Sequence, residues 1–164
     1  MKVEIWSDVV CPWCYIGKRR FETALAGFDG AADVEVTWRS FQLNPEQPRG
    51  ARTTHDEYLR AKIGGSPEQV QVLNTRVTAL AATEGLAYDF ERYQVINTFD
   101  AHRVAHLGRV AGLGDAIQER LLRGQLSRAR CSTIRTPSSG SARRLAWPAT
   151  RSATSSRPTA MPPR

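Results

Sequence analysis

Two cysteines near the start of the chain are separated only by Pro12 and Trp13, and they lie between a strand pattern and a helix pattern. The preceding segment, "KVEIW", alternates apolar and charged residues and predicts a short strand. Pro12 suits the first turn of a helix, where its missing N–H costs nothing, and helical spacing of apolar residues continues to about residue 27. The order of strand, tight turn and helix therefore places Cys11 and Cys14 at a helix start.

The segment "ADVEVTWRSFQLNP" predicts a second strand. Its apolar residues alternate, slip by one position after Arg39 and Ser40, and resume until Pro45 ends the pattern, so we expect a bulged strand. Two strands joined by one helix favour a right-handed βαβ unit with a parallel pair. We therefore predict an α/β fold in which residues 1–45 form this unit.

Residues 54–123 are predicted to be a block of helices. The first helix ends at Gly64, and the second has Ser66 as its N-cap with Gln69 three residues later, which is a capping-box pattern. Two further amphipathic segments follow, "NTFDAHRVAHLGRV" and "DAIQERLLRGQ". This block follows the βαβ unit without another strand pattern.

The composition changes after residue 125. Of the 39 residues in 126–164, 33 are Arg, Ala, Ser, Thr, Pro or Gly, which leaves too little apolar surface to offset the entropy of ordering. We predict a domain over 1–125 and a disordered tail over 126–164. The formal charge of +7 follows this division, because 1–125 has 15 Lys+Arg against 16 Asp+Glu. A nearly neutral domain does not predict a nucleic-acid partner.

The sequence has no apolar run typical of a secretory signal or of a membrane span. We therefore expect a cytoplasmic, soluble protein with no membrane partner. A structural disulfide is not expected in a reducing compartment. Catalysis, metal binding and simple burial remain as explanations for the close cysteine pair.

The position of the pair favours redox chemistry. Unpaired N–H groups and the partial positive charge of a helix start stabilise an anion, and here that anion is the Cys11 thiolate. Cys14 lies one turn later and can resolve a mixed disulfide within the chain. Trp13 either docks substrate or covers the helix end. The basic run Lys18-Arg19-Arg20 is expected to be a solvated helix face.

Two other interpretations of the pair stay open. The cysteines could be half of a zinc site in a non-enzymatic fragment or metal-binding helical module, with the other ligands from His102, His106 or Cys131. They could also be inert buried thiols. The sequence has no second Cys-x-x-Cys and no His-Glu-x-x-His, so we predict no bound metal.

The segments "VEIWSDVVCPWCYIGKRRFE", "WRSFQLNP" and "NTFDAHRVAHL" resemble the DsbA-type thioredoxin-fold proteins, above all the cytoplasmic FrnE-like oxidoreductases. The resemblance spans about 2–123. It implies a thioredoxin-like fold with a helical insertion, a nucleophilic Cys11 and a resolving Cys14. It also implies thiol–disulfide exchange with protein or small-molecule thiols and disulfides, without a cofactor.

Relatives of this family leave a further alternative. The 2-hydroxychromene-2-carboxylate isomerases and kappa-class glutathione transferases share the fold, but they typically have serine at the position that matches Cys11. The presence of both Cys11 and Cys14 therefore favours redox chemistry. The sequence predicts neither the substrate-binding residues nor the oligomeric state.

The sequence departs from the family pattern in two places. Trp13 replaces the histidine of periplasmic members, so we expect a potential nearer about −270 to −180 mV than about −120 mV. The family's C-terminal part, a Gly-Val-Pro-like loop followed by two strands and a helix, is not recognisable in the tail. We predict that this ββα part is absent, and we hypothesise that the tail is an out-of-frame reading of a GC-rich gene.

Overall fold

A computed structural model describes residues 1–127, and the predicted tail with Cys131 lies outside these described residues. The chain begins with the predicted βαβ unit. Its strands pair in parallel, with Val3 opposite Val36 and Ile5 opposite Trp38. A short 3-10 turn at Ala31–Asp33 leads into the second strand. The elements of this unit are β1 Lys2–Ser7, α1 Pro12–Ala26 and β2 Glu35–Ser40.

The second strand is shorter than predicted. The sequence pattern indicated a bulged strand running through Leu43, but β2 ends at Ser40. The Phe41 N–H still donates to the Ser7 carbonyl at 3.2 Å, whereas the Leu43 N–H donates to the Asp8 carboxylate at 2.7 Å. Because the Leu43 N–H donates to a side chain, the ladder of backbone hydrogen bonds between β1 and β2 stops, and the chain turns away from β1.

Four helices follow, as predicted, and the last ends at Leu126, one residue beyond the quoted segment and at the first residue of the predicted tail. The capping box of Ser66 and Gln69 is present, and a second one joins Thr54 to Glu57. One feature was not predicted, a two-residue antiparallel pair between β3 Thr53–Thr54 and β4 Gln94–Val95. The helices are α2 His55–Ile63, α3 Pro67–Thr83, α4 Phe99–Val110 and α5 Gly114–Leu126.

The hydrophobic core lies between α1, α3, α5 and the segment that precedes β4. Tyr15 and Ile16 on α1 meet Ala81 on α3 and Leu122 on α5, and all four are at most 2% exposed. The segment before β4 adds two buried tyrosines to the same cluster. The core therefore fixes the first turn of α1, which carries the cysteines, against the helical block.

The prediction that Lys18 belongs to a solvated face was wrong. Its side chain is 1% exposed and forms ion pairs with Glu22, Asp115 and Glu119. Burial alone would lower the pKa of Lys18, but hydrogen bonds to carboxylates outweigh it and raise the pKa. A buried ammonium needs such partners, and two of them come from α5, about 100 residues along the chain.

Candidate active site

Cys11 is the N-cap of α1, and Pro12 is the first helical residue. The Cys11 N–H donates to the Asp8 carbonyl at 3.1 Å, and the Cys14 N–H donates to the Cys11 carbonyl at 3.1 Å. These two bonds close the tight turn between β1 and the helix. Both cysteines are free thiols and half-buried, so the predicted strand, turn and helix bring the two side chains to one helix end.

The two cysteines face different surroundings. Cys11, Pro12 and the 54% exposed Trp13 line a cavity of about 270 Å³. Cys14 packs instead against the hydrophobic core. An incoming molecule in the cavity therefore meets Cys11, while Cys14 stands behind it.

A hydrogen bond between the two sulfurs controls their ionisation. The bond from the Cys11 thiol lowers the pKa of Cys14 to about 6, against the opposing effect of burial. The Asp8 backbone and the Ser7 hydroxyl also lower the pKa of Cys14. The shared hydrogen bond and burial raise the pKa of Cys11 in turn. The pair therefore loses its first proton at a pH below the range in which an ordinary thiol ionises. It holds its second proton more firmly than an ordinary thiol does.

This charge distribution differs from the expectation that Cys11 itself is the resting thiolate. The helix start favours an anion at the N-cap, whereas the neighbouring Cys14 and burial raise the pKa of Cys11. When the pair has lost one proton, the two sulfurs share the other. Transfer of that proton from Cys11 to Cys14 places the negative charge on Cys11, which lines the cavity.

A buried polar group lies directly before the cysteines and was not identified from the sequence. Asp8 is 2% exposed, and its Oδ1 lies 3.2 Å from Nε2 of His102 while its Oδ2 accepts from the Leu43 N–H. The neighbouring Ser7 hydroxyl accepts from Gln118 at 3.2 Å. These contacts join the end of β1 to α4, α5 and the loop after β2. No sequence pattern links Asp8 to His102, because 94 residues separate them.

Two tyrosine hydroxyls hold the turn that carries the cysteines. Tyr88 donates to the Pro12 carbonyl at 2.6 Å, and Tyr93 donates to the Val10 carbonyl at 2.5 Å. Burial raises the pKa of both hydroxyls, so they remain donors. The segment that contains Tyr88 and Tyr93 has no helix or strand pattern in the sequence. Its aromatic residues are the one sequence signal that could have identified it.

The histidines proposed as alternative zinc ligands have different partners. His102 contacts the Asp8 carboxylate, whereas Nδ1 of the exposed His106 lies 2.8 Å from the Arg109 guanidinium. Within residues 1–127, no group of three or more His, Cys, Asp or Glu side chains is arranged to hold a metal ion. Over the same range, no helix is both long enough and apolar enough to cross a membrane.

Comparison with known proteins identifies the family of this chain. The sequence model of the DSBA-like thioredoxin domain matches residues 2–138. The chain belongs to the DSBA-like thioredoxin domain family. This family has the thioredoxin-like fold that the resemblance to DsbA-type proteins implied.

Two individual proteins add to this assignment to the DSBA-like family. A crystal structure titled "probable DsbA oxidoreductase SCO1869", from Streptomyces coelicolor, superposes with a TM-score of 0.77 and is 43% identical. That match covers 80% of this chain and 56% of the other. "Uncharacterized protein YwbO" of Bacillus subtilis (strain 168) is 46% identical over 43 residues, which are 26% of this chain and 20% of YwbO. The chain thus spans about half the length of the solved relative.

Proposed function

We propose that this DSBA-like chain is a thiol–disulfide oxidoreductase in which Cys11 is the nucleophile and Cys14 the resolving cysteine. The observation that carries the proposal is the placement of the pair, with Cys11 on a cavity wall at a helix start and Cys14 behind it against the core. The family and the solved oxidoreductase relative support the same reaction class. We also propose membership of the FrnE-like subgroup, on the three sequence segments quoted above.

The reaction transfers two electrons between two dithiol–disulfide pairs. The Cys11 thiolate attacks one sulfur of a substrate disulfide, so that a Cys11–substrate bond forms, the substrate S–S bond breaks and the departing thiolate takes a proton. Cys14 then loses its proton and attacks the Cys11 sulfur. The second substrate thiol leaves, and the Cys11–Cys14 disulfide remains. The reverse sequence oxidises a substrate dithiol.

The low first pKa of the pair supplies the thiolate for this reaction. With one proton shared by the two sulfurs, half of the dithiol population is a monoanion near pH 6. As Cys11 attacks, the shared proton passes to Cys14, and the partial positive charge of the α1 N-terminus favours the anion on Cys11. Pro12 and Trp13, between the cysteines, line the same cavity as Cys11.

We propose protein or small-molecule thiols and disulfides as substrates. Trp13 is half-exposed beside Cys11, which gives a docking protein an aromatic surface to contact. The chemistry takes place between sulfur atoms alone, and the proposed mechanism includes no metal or organic cofactor.

The proposal is tested by insulin reduction with dithiothreitol, using the full chain. We expect catalysis by the wild-type chain and by Cys131→Ser, and loss to the uncatalysed rate in Cys11→Ser. Cys131→Ser is the matched control, because it removes a cysteine without changing the pair. Equal activity of Cys11→Ser and the control would refute the assignment of the nucleophile.

A further inference from the structure

A second groove follows the edge of the sheet at β2. Its lining includes every residue of this strand from Val36 to Ser40, together with Trp6, the C-terminal half of α4 and the first two turns of α5. Because successive side chains of a strand point to opposite faces, a groove that touches all of them runs along the strand edge. Its volume is about 550 Å³, and it shares no lining residue with the cavity beside Cys11.

The backbone of β2 has hydrogen-bonding groups on the side away from β1. The N–H groups of Glu35 and Phe41, at the start of β2 and just beyond its end, donate to carbonyls of the first strand at 2.9 and 3.2 Å. Alternate residues of a parallel strand bond to the same neighbour, so the N–H and C=O groups of Val36, Trp38 and Ser40 point to the other edge. In the described part of the chain, no hydrogen bond uses these groups. A row of such groups is a template for an added strand.

One charge in the wall of this groove lacks an opposite charge. Arg39 and Asp115 also line the groove, and each forms an ion pair with another residue of the domain. The half-buried Arg109 contacts Nδ1 of His106 at 2.8 Å instead, and it forms no ion pair within residues 1–127. A guanidinium binds a carboxylate through charge-assisted hydrogen bonds, which are the strongest that it can form with a peptide. The groove therefore favours an acidic ligand.

We propose that this groove binds an extended segment of a partner protein that carries an aspartate or glutamate. The segment adds a strand to the outer edge of β2, and its carboxylate pairs with the Arg109 guanidinium. Five residues of strand span about 17 Å, which sets the length of the segment. Backbone hydrogen bonds supply the affinity, and the charge supplies the preference. This site is separate from the cysteines, so the inference does not depend on the proposed function.

The test measures binding of two fluorescein-labelled peptides to the full chain by fluorescence anisotropy. The peptides are Thr-Val-Glu-Val-Thr and Thr-Val-Gln-Val-Thr, which have the same shape and strand propensity and differ in one charge. We expect the Glu peptide to bind with a Kd below about 1 mM and about tenfold more tightly than the Gln peptide, because its hydrogen bond to the guanidinium is charge-assisted. A Kd above about 1 mM for the Glu peptide, or equal affinities, would overturn the proposal.

Two substitutions locate the carboxylate of the bound peptide. Arg109→Gln removes the charge from the groove wall, so the Glu-to-Gln affinity ratio should fall to about one. Arg103→Gln is the matched control on the same helix, because its side chain is 70% exposed and does not line this groove, and it should keep the wild-type ratio. An unchanged ratio in Arg109→Gln, or an equal fall in both variants, would overturn the assignment. Each ratio is measured within one protein preparation, so a smaller folded fraction does not change it.

Amide hydrogen exchange followed by NMR locates the added strand. With the Glu peptide bound, the N–H groups of Val36 and Trp38 should exchange at least about tenfold more slowly. The N–H groups of Lys2 and Glu4 are the internal control, because they point to the outer edge of β1, and their exchange should not change. Slower exchange at the control residues alone would place the peptide on the other edge of the sheet. Slower exchange at Val36 and Trp38 that needs only a higher protein concentration would assign the groove to a second copy of this chain. Either result would overturn the proposal.

Discussion

Substitution of the buried lysine on α1 tests the packing of the helix that carries the cysteines. Lys18 has three carboxylate partners, and Asp115 and Glu119 lie 3.1 and 3.6 Å from its Nζ. Methionine has a similar length and retains the apolar packing of the stem, so Lys18→Met removes chiefly the charge. Asp115 then loses its ion pair with Lys18, whereas Glu22 and Glu119 keep the Arg19 guanidinium as a partner.

The exposure of the partners determines the size of the effect. Removing one member of a fully buried ion pair costs about 3 to 5 kcal/mol, whereas an exposed pair contributes about 0 to 1 kcal/mol. Lys18 is 1% exposed, but the Glu119, Glu22 and Asp115 side chains are 26%, 38% and 68% exposed. Water therefore solvates the remaining carboxylates in part, and we expect a loss of about 2 kcal/mol in the free energy of unfolding.

Urea unfolding followed by tryptophan fluorescence measures this loss. With a typical slope of about 2 kcal/mol per molar urea, the midpoint should fall by about 1 M at unchanged slope. Arg20→Met is the matched control on the same helix, because the Arg20 side chain is 53% exposed where Lys18 is 1% exposed, and its carboxylate partner Glu84 is 19% exposed. Its loss should not exceed about 0.5 kcal/mol. Equal losses in the two variants would refute the structural role of Lys18.

Three further predictions concern the turn, the buried His55 and the thiols. Tyr93→Phe should cost about 1 to 2 kcal/mol in urea unfolding, because the Val10 carbonyl loses the hydroxyl donor of the buried Tyr93; a loss below about 0.3 kcal/mol would contradict this. The free energy of unfolding should fall as the pH is lowered through about 6.5, since the unfolded chain protonates His55 more readily than the folded one; an identical fall in His55→Phe would assign the effect to another group. Thiolate absorbance should rise with a midpoint near pH 6, and Cys11→Ala should move that midpoint upward, because alanine has no donor for Cys14; an unchanged midpoint would show that the sulfurs do not interact.

Local signals predicted much of the fold. The β1 strand, the Pro12 helix start and the Ser66 capping box depend on neighbours within a few residues, and all three are present. The parallel pairing of β1 and β2 also followed from their spacing, because a connection that contains a helix of this length joins strands that run in the same direction. The pair of cysteines was placed correctly at the helix start for the same reason.

Contacts between distant residues account for what the sequence analysis missed. Leu43 continued a strand pattern, but its N–H is used by the Asp8 carboxylate. Lys18 belongs to a basic run, and only the folded chain brings Asp115 and Glu119 to it. His55 carried no signal at all, because its partner Asn74 lies on another helix and the cavity forms only when the helical block packs against α1.

Trapping of the mixed disulfide tests the central claim most directly. Cys14→Ser should accumulate a covalent adduct when it reacts with the disulfide-linked dimer of a peptide that contains one cysteine. Mass spectrometry should show the mass of one added peptide, and dithiothreitol should remove it. Peptide mapping should place the adduct on Cys11. An adduct that forms on Cys14 in Cys11→Ser, but not on Cys11 in Cys14→Ser, would contradict the assigned roles of the two cysteines.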